Sequence, residues 1–263
     1  MEPKQITSIS NTAVKEAARL KRKRNRYASR LFLAEGEDLL EAALRRAVMP
    51  RQVFVLEGHE SKVGAGLDSA TEFYSVSEPV MAKLSELGSG SRVLSVFALP
   101  RPALPEQAAA DGGGPFVFLA GAGDPGNVGA AVRSAAAFGA SGVILDPETA
   151  DPYSPKALRA TMGAAFNIPL YLDVAAGELA AWAVGLGLKL VAAEAHQGMA
   201  PWEADLSGGF VLVLGSERGG VPGRLKAAAQ EIVRIPQSAD AESVNVAAAG
   251  SILLYEALRQ RKC

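Results

Sequence analysis

The chain has 263 residues, 49% of them hydrophobic and 21% charged, with 27 glycines, 15 prolines and a formal net charge of −1. At roughly 150 residues per domain this predicts one or two globular domains, and it excludes collagen-like, wholly disordered and staple-dependent small scaffolds. One cysteine, Cys263, and two histidines, His59 and His196, leave no material for an internal disulfide, a thiolate cluster or a histidine-rich metal site.

The opening stretch, MEPKQITSISNTAVKEAARLKRKRNR, has basic residues with no apolar segment behind them. No apolar run in the chain reaches the roughly 18 residues of a membrane span, so the expectation is a cytoplasmic protein without signal peptide or anchor. Asn11 or Thr12 predicts the N-cap of one helix through AVKEAARLKRKRNR, followed by the strand RLFLAE. A helix EDLLEAALRRAV ends at Met49-Pro50 and feeds the strand QVFVLE; EFYSVS, the helix EPVMAKLSEL and the strand RVLSVFAL complete a small α/β unit over residues 1–100. Four prolines and three consecutive glycines in residues 100–115 predict a linker over 101–114.

Residues 115–263 alternate more regularly. PFVFLAG, GVILD, IPLYLD, KLVAAEA, FVLVLG and EIVRIP read as strands, and AAVRSAAAF, SPKALRATMG, GELAAWAVG and SVNVAAAGSILLYEALRQR as helices. Near-continuous apolar strands separated by helices predict a parallel sheet covered on both faces, an α/β domain whose active groups lie at the carboxyl ends of its strands. His59, His196, Trp182 and Trp202 are expected to be structural.

The net charge conceals an asymmetry. Residues 1–105 carry 16 Lys and Arg against 12 Asp and Glu, whereas residues 106–263 carry 11 against 16. Seven basic residues, Arg19, Lys21, Arg22, Lys23, Arg24, Arg26 and Arg30, fall within residues 19–30 with no acid among them. Such a run attracts phosphate through counterion release, or is simply a solvated helix face. Tyr27 and Phe32 beside it can stack on bases or pack inward.

A glycine loop admits two readings. Gly121, Gly123 and Gly126 follow a strand, and Asp146 ends the next one, which is the spacing of a dinucleotide fingerprint. That would make the protein a nicotinamide-dependent oxidoreductase. Against it, Asp124-Pro125-Gly126-Asn127 reads as a turn with the helix starting after it, which would put the third glycine outside the first helical turn.

Three separated segments carry a different resemblance. Asn127-Val-Gly-Ala-Ala-Val-Arg133, then Leu214-Gly215-Ser216-Glu217-Arg218-Gly219-Gly220-Val221-Pro222, then Ile235-Pro236 with Ser243-Val244-Asn245 occur in the order of the three motifs of the SpoU (TrmH) RNA ribose 2′-O-methyltransferases. The chain resembles that family over about residues 115–261, and residues 1–100 resemble the ribosomal-protein-like substrate-binding domain of its longer members. The resemblance implies a C-terminal α/β domain with a trefoil knot, S-adenosyl-L-methionine as cofactor, no metal, a homodimer that completes the site, and RNA as substrate. Large-subunit (23S) ribosomal RNA is the expected substrate, with tRNA as runner-up. It further implies catalytic roles for Arg133, Asn127, Glu217, Ser243 and Asn245, cofactor contacts at Gly215, Ile235 and Val244, and RNA contacts along the basic run. The residues by themselves leave other readings open: Asn127 or Ser243 as helix caps, and Glu217 as a solvated turn acid.

Overall fold

The computed structural model describes residues 2–63, 66–86, 90–107, 114–238 and 243–262. Part of the expected linker (108–113), part of the third motif segment (239–242) and Cys263 lie outside the described residues. The chain divides into two compact units: residues 1–100 with 151–166, and residues 101–150 with 167–263. Among the described residues no helix is long and apolar enough to cross a membrane.

The first unit contains β1 (Lys4–Ile6), α1 (Thr12–Arg19), α2 (Lys23–Ser29), β2 (Leu31–Glu35), α3 (Glu37–Leu44), β3 (Gln52–Leu56), β4 (Glu72–Val76), α4 (Glu78–Leu84) and β5 (Val93–Ala98). Its five strands form one sheet in the order β1-β4-β3-β5-β2, in which β1, β4 and β3 are parallel while β5 runs antiparallel to both β3 and β2. One core packs Val14, Ala17, Leu20, Val80 and Leu84 against Leu33, Phe54 and Leu94. Elsewhere Phe32 and Phe97 stack at 5.5 Å, with Tyr153 at 4.9 Å from Phe32 and Phe166 at 5.0 Å from Phe97. Both added rings come from the 151–166 segment, which carries α6 (Pro155–Thr161). Phe32 is therefore a core residue rather than a stacking platform.

The single helix expected over residues 13–26 is two helices. Asn11 caps α1, its side chain accepting from the Ala13 N–H at 2.9 Å, but α1 stops at Arg19 and the chain turns at residues 20–22. A run of like charges without i,i+4 partners gives a continuous helix no side-chain support. The turn is held by Arg26, whose Nη1 donates to the Leu20 and Lys21 carbonyls at 2.7 and 2.8 Å. α3 also ends earlier than expected, at Leu44, with Ala47 at φ +55° closing the turn before Pro50.

The second unit holds β6 (Phe116–Ala120), α5 (Pro125–Ala137), β7 (Gly142–Leu145), β8 (Leu170–Tyr171), α7 (Ala176–Gly185), β9 (Lys189–Ala193), β10 (Phe210–Gly215), α8 (Gly223–Ala228), β11 (Glu231–Val233) and α9 (Val246–Lys262). All pairings in its six-stranded sheet, β11-β9-β10-β6-β7-β8, are parallel. Phe118, Ile144, Leu190, Val211 and Val213 join Leu179, Ala183 and Leu225 of α7 and α8 in its core. The start of the expected linker packs on this unit: Leu104 lies against that core, Trp182 Nε1 donates to the Pro105 carbonyl at 2.8 Å, and Arg101 pairs with Asp173 at 3.2 Å.

α5 begins at Pro125, not after the Asp124–Asn127 turn. Pro125 occupies the first helical turn, where a missing N–H costs nothing, and Asp124 is the N-cap, its carboxylate accepting from the Asn127 N–H at 3.0 Å. Gly126 is thus inside the first turn, and the register objection to a dinucleotide loop does not hold. A different observation removes that reading's acidic anchor: Asp146 Oδ1 accepts from the Gly121 N–H (3.1 Å), the Thr149 N–H (2.8 Å) and the Thr149 hydroxyl (2.7 Å). That carboxylate is engaged in closing its own loop.

Candidate active site

Three side chains that are far apart in sequence meet in the second unit. Asn127, in the first turn of α5, donates through Nδ2 to Glu217 Oε1 at 2.5 Å and accepts at Oδ1 from Asn245 Nδ2 at 2.9 Å. Asn245 caps α9, its Oδ1 accepting from the Ala247 and Ala248 N–H groups at 2.9 and 3.3 Å. The cap of α9 is therefore Asn245 rather than Ser243, and the cap of α5 is Asp124 rather than Asn127. Both faces of the Asn127 amide are committed, so its orientation is set by two partners from different motifs.

Beside this chain lies a cavity of about 600 Å³, lined by Gly215, Ser216 and Glu217 after β10, by Ile235 and Gln237 after β11, and by Ser243 and Val244 before α9. That is a volume suited to a nucleoside-sized ligand. The second and third motif segments thus meet at one site. Gly215 is required for a reason internal to the chain: a Cβ there would stand 2.0 Å from the Gly220 carbonyl carbon and 2.3 Å from the Val221 nitrogen. Residues 216–220 fold back on the end of β10, with Gly220 at φ +63° and its N–H donating to the Ser216 carbonyl at 2.9 Å.

Arg133 is placed apart. It is exposed on α5, six residues beyond Asn127, and does not line the cavity. Six residues at 100° each put it about 120° around the helix from Asn127. The next residue, Ser134, instead faces α9, its hydroxyl 2.7 Å from that of Ser251.

The basic run in the first unit also divides. Arg26 is 2% exposed and pairs with Asp151 through Nε at 3.0 Å and Nη2 at 2.5 Å. Asp151 in turn accepts from the Tyr27 hydroxyl at 3.2 Å and the Tyr153 N–H at 2.9 Å. An RNA contact by Arg26 does not fit this geometry, because all of its donors with named partners are spent inside the fold. Lys21 is tethered by the carbonyls of Lys83 and Ser85 at 3.0 and 2.7 Å. Arg19, Arg22, Lys23, Arg24 and Arg30 are exposed, and the Lys23 ammonium lies 5.5 Å from the Tyr27 ring centre.

Residues that the sequence did not single out also line the cavity: Glu194, His196, Lys226 and Gln237. Glu194 follows β9 in an otherwise apolar segment, and a lone acid at a strand end was the available signal.

Residues 114–255 match the model of the SpoU rRNA Methylase family, and residues 11–95 match an MRM3-like substrate binding domain. The chain belongs to the SpoU rRNA methylase family. A curated relative, the 23S rRNA (guanosine(2553)-2'-O)-methyltransferase RlmP of Bacillus subtilis, is 29% identical over 96% of this chain and 98% of its own length. The AdoMet-bound rRNA methyltransferase from Sinorhizobium meliloti superposes with a TM-score of 0.86 at 31% identity, covering 97% of both chains. The SpoU methyltransferase AviRb from Streptomyces viridochromogenes, solved with AdoMet, gives 0.86 at 25% identity over 96% of this chain and 98% of that one. This SpoU member is an S-adenosylmethionine-dependent RNA methyltransferase with a parallel α/β domain and a smaller N-terminal unit. The cavity fits that cofactor: its size accommodates a nucleoside, its walls are largely backbone and small side chains, and two buried acceptor oxygens, on Glu194 and Gln237, have no protein partner.

Proposed function

We propose that the protein methylates ribose 2′-hydroxyls of 23S ribosomal RNA. The observation that carries this reading is the Glu217–Asn127–Asn245 chain at the mouth of a cavity formed by the second and third motif segments. The full-length relative and neighbour named for rRNA, together with the substrate-binding match over residues 11–95, favour rRNA over tRNA.

When bound, S-adenosylmethionine supplies a methyl on a sulfonium, which the ribose 2′-oxygen displaces in line as its proton is lost, leaving a neutral thioether. No Lewis acid is needed for such a displacement. Gly215, Ile235 and Val244 hold the cofactor largely through backbone, and Ser243 stands at the cavity rim. Asn127 fixes the Glu217 carboxylate through Oε1. Glu217 then orients a guanidinium, that of Arg133, which holds the phosphate beside the target ribose and stabilises the developing alkoxide. A guanidinium stays protonated, so it acts as a positive fork rather than as the base.

Arg133 reaches a site only if a second copy supplies it, and the homodimer we propose does this. α9 exposes Ile252 (43%) and Tyr255 (58%), large apolar side chains of the kind that an interface covers. The family's trefoil knot is part of the same proposal: the chain leaving β10 passes β9 to form β11, then returns to start α9 beside α5. The first unit is proposed to grip RNA with Arg19, Arg22, Lys23, Arg24 and Arg30, and we place the protein in the cytoplasm.

Transfer of a labelled methyl group to purified 23S rRNA and tRNA tests the reading. The expected product is alkali-resistant label in 23S rRNA, since a 2′-O-methyl blocks cleavage of the adjoining phosphodiester. Label on bases, or in tRNA alone, would replace it with another methyltransferase activity.

A further inference from the structure

Among the described residues, four buried side-chain oxygens have no hydrogen-bond partner: Ser95 Oγ, Glu194 Oε1, Glu231 Oε2 and Gln237 Oε1. Two of the four, Glu194 and Gln237, line the same cavity. A buried acceptor without a donor is costly to the fold, so a cluster of them at a cavity marks where a ligand brings its donors.

Glu194 is held firmly for such a role. Its N–H donates to the Val233 carbonyl at 2.9 Å, fixing the residue between β9 and β11. Its Oε2 pairs with Lys226 of α8 at 2.8 Å, and the carboxylate is only 14% exposed. The ion pair thus uses one oxygen and leaves Oε1 directed under the 216–220 loop, where a Cβ on Gly220 would lie 4.0 Å away. Gln237, four residues beyond the end of β11, presents its Oε1 to the same space.

We propose that Glu194 and Gln237 read the nucleoside half of S-adenosylmethionine, the Glu194 carboxylate accepting from the ribose hydroxyls and the Gln237 amide engaging the adenine amino edge. A carboxylate oxygen offers only acceptance, which suits a diol and gives a charge-assisted bond. A primary amide offers a donor beside an acceptor, the pattern complementary to adenine N6 and N7. Lys226 is a positioning residue that turns the free oxygen inward. This assignment rests on the cofactor reading of the cavity.

Isothermal titration of the full-length protein tests it without turnover, using S-adenosylhomocysteine, its 2′,3′-dideoxyribose analogue and S-inosylhomocysteine. The wild-type protein is expected to bind S-adenosylhomocysteine roughly tenfold or more tighter than either analogue. Glu194→Ala should lose most of the preference over the dideoxy compound and keep the preference for adenine over hypoxanthine; Gln237→Ala should do the reverse. Glu194→Met, similar in length and without an acceptor, carries the same measurement if the alanine variant does not fold. Wild-type binding with unchanged preferences in the variants overturns this assignment alone. Absence of wild-type binding to S-adenosylhomocysteine overturns the cofactor reading as well.

Discussion

The basic stretch at residues 19–30 and the Asn127–Glu217–Asn245 cluster teach opposite lessons about local sequence. The stretch is contiguous and reads as one surface, yet the fold divides it: Arg26 is buried on Asp151, Lys21 is tied to two carbonyls, and the rest stay exposed. The cluster is scattered over more than a hundred residues, yet its amides and carboxylate form one hydrogen-bonded chain. Charge density alone does not assign a side chain to a ligand. Burial and partner count do.

Breaking the buried pair should have the largest effect. Arg26→Ala or Asp151→Ala leaves an uncompensated buried charge, which costs about 3–5 kcal/mol, and chemical denaturation should show it. The double variant Arg26→Met, Asp151→Leu should recover much of that loss. If Arg26 served RNA instead, its removal would weaken RNA binding while leaving stability intact.

The cluster should respond in activity rather than stability. Asn127→Ala releases both Glu217 and Asn245, and methyl transfer is expected to fall by roughly 100-fold, the usual scale for losing one preorganised polar group, with S-adenosylhomocysteine affinity unchanged. Arg133→Ala should fall as far in single-turnover assays, and Arg133→Lys should restore part of the rate if positive charge is what matters. Equal loss in both would show instead that the planar fork is needed. Gly215→Ala is a milder test of the loop: its Cβ must displace the Gly220 backbone, costing about 1–3 kcal/mol and weakening cofactor binding.

The same contrast explains what the sequence made legible. The strand order of the second unit's elements was readable because its strands are continuous apolar runs, and the motif residues Gly215, Ile235 and Val244 do line one cavity. The break between α1 and α2 was not, because the Arg26 partner is 125 residues away. Nor was the grouping of residues 151–166 with the first unit, which depends on Tyr153 and Phe166 packing on Phe32 and Phe97. β1, with three residues, and α8, with six, are too short to show a period. The start of α5 was misplaced because Asp-Pro-Gly-Asn is equally a turn and a capped helical first turn, and only the Asp124 carboxylate on the Asn127 N–H distinguishes them. Glu194 and Gln237 carry no pattern at all; their significance lies in lacking partners.

The central claim is a division of labour, with exposed charge in the first unit holding RNA and the cavity of the second holding the cofactor. Replacing Arg22, Lys23, Arg24 and Arg30 together by glutamine, then titrating RNA and S-adenosylhomocysteine across a salt series, tests it most directly. The salt dependence of RNA affinity should flatten by about three units of slope, at about 0.7–0.9 per lost phosphate contact, while S-adenosylhomocysteine binds as in the wild type. An unchanged slope, or loss of cofactor binding along with RNA, would contradict it.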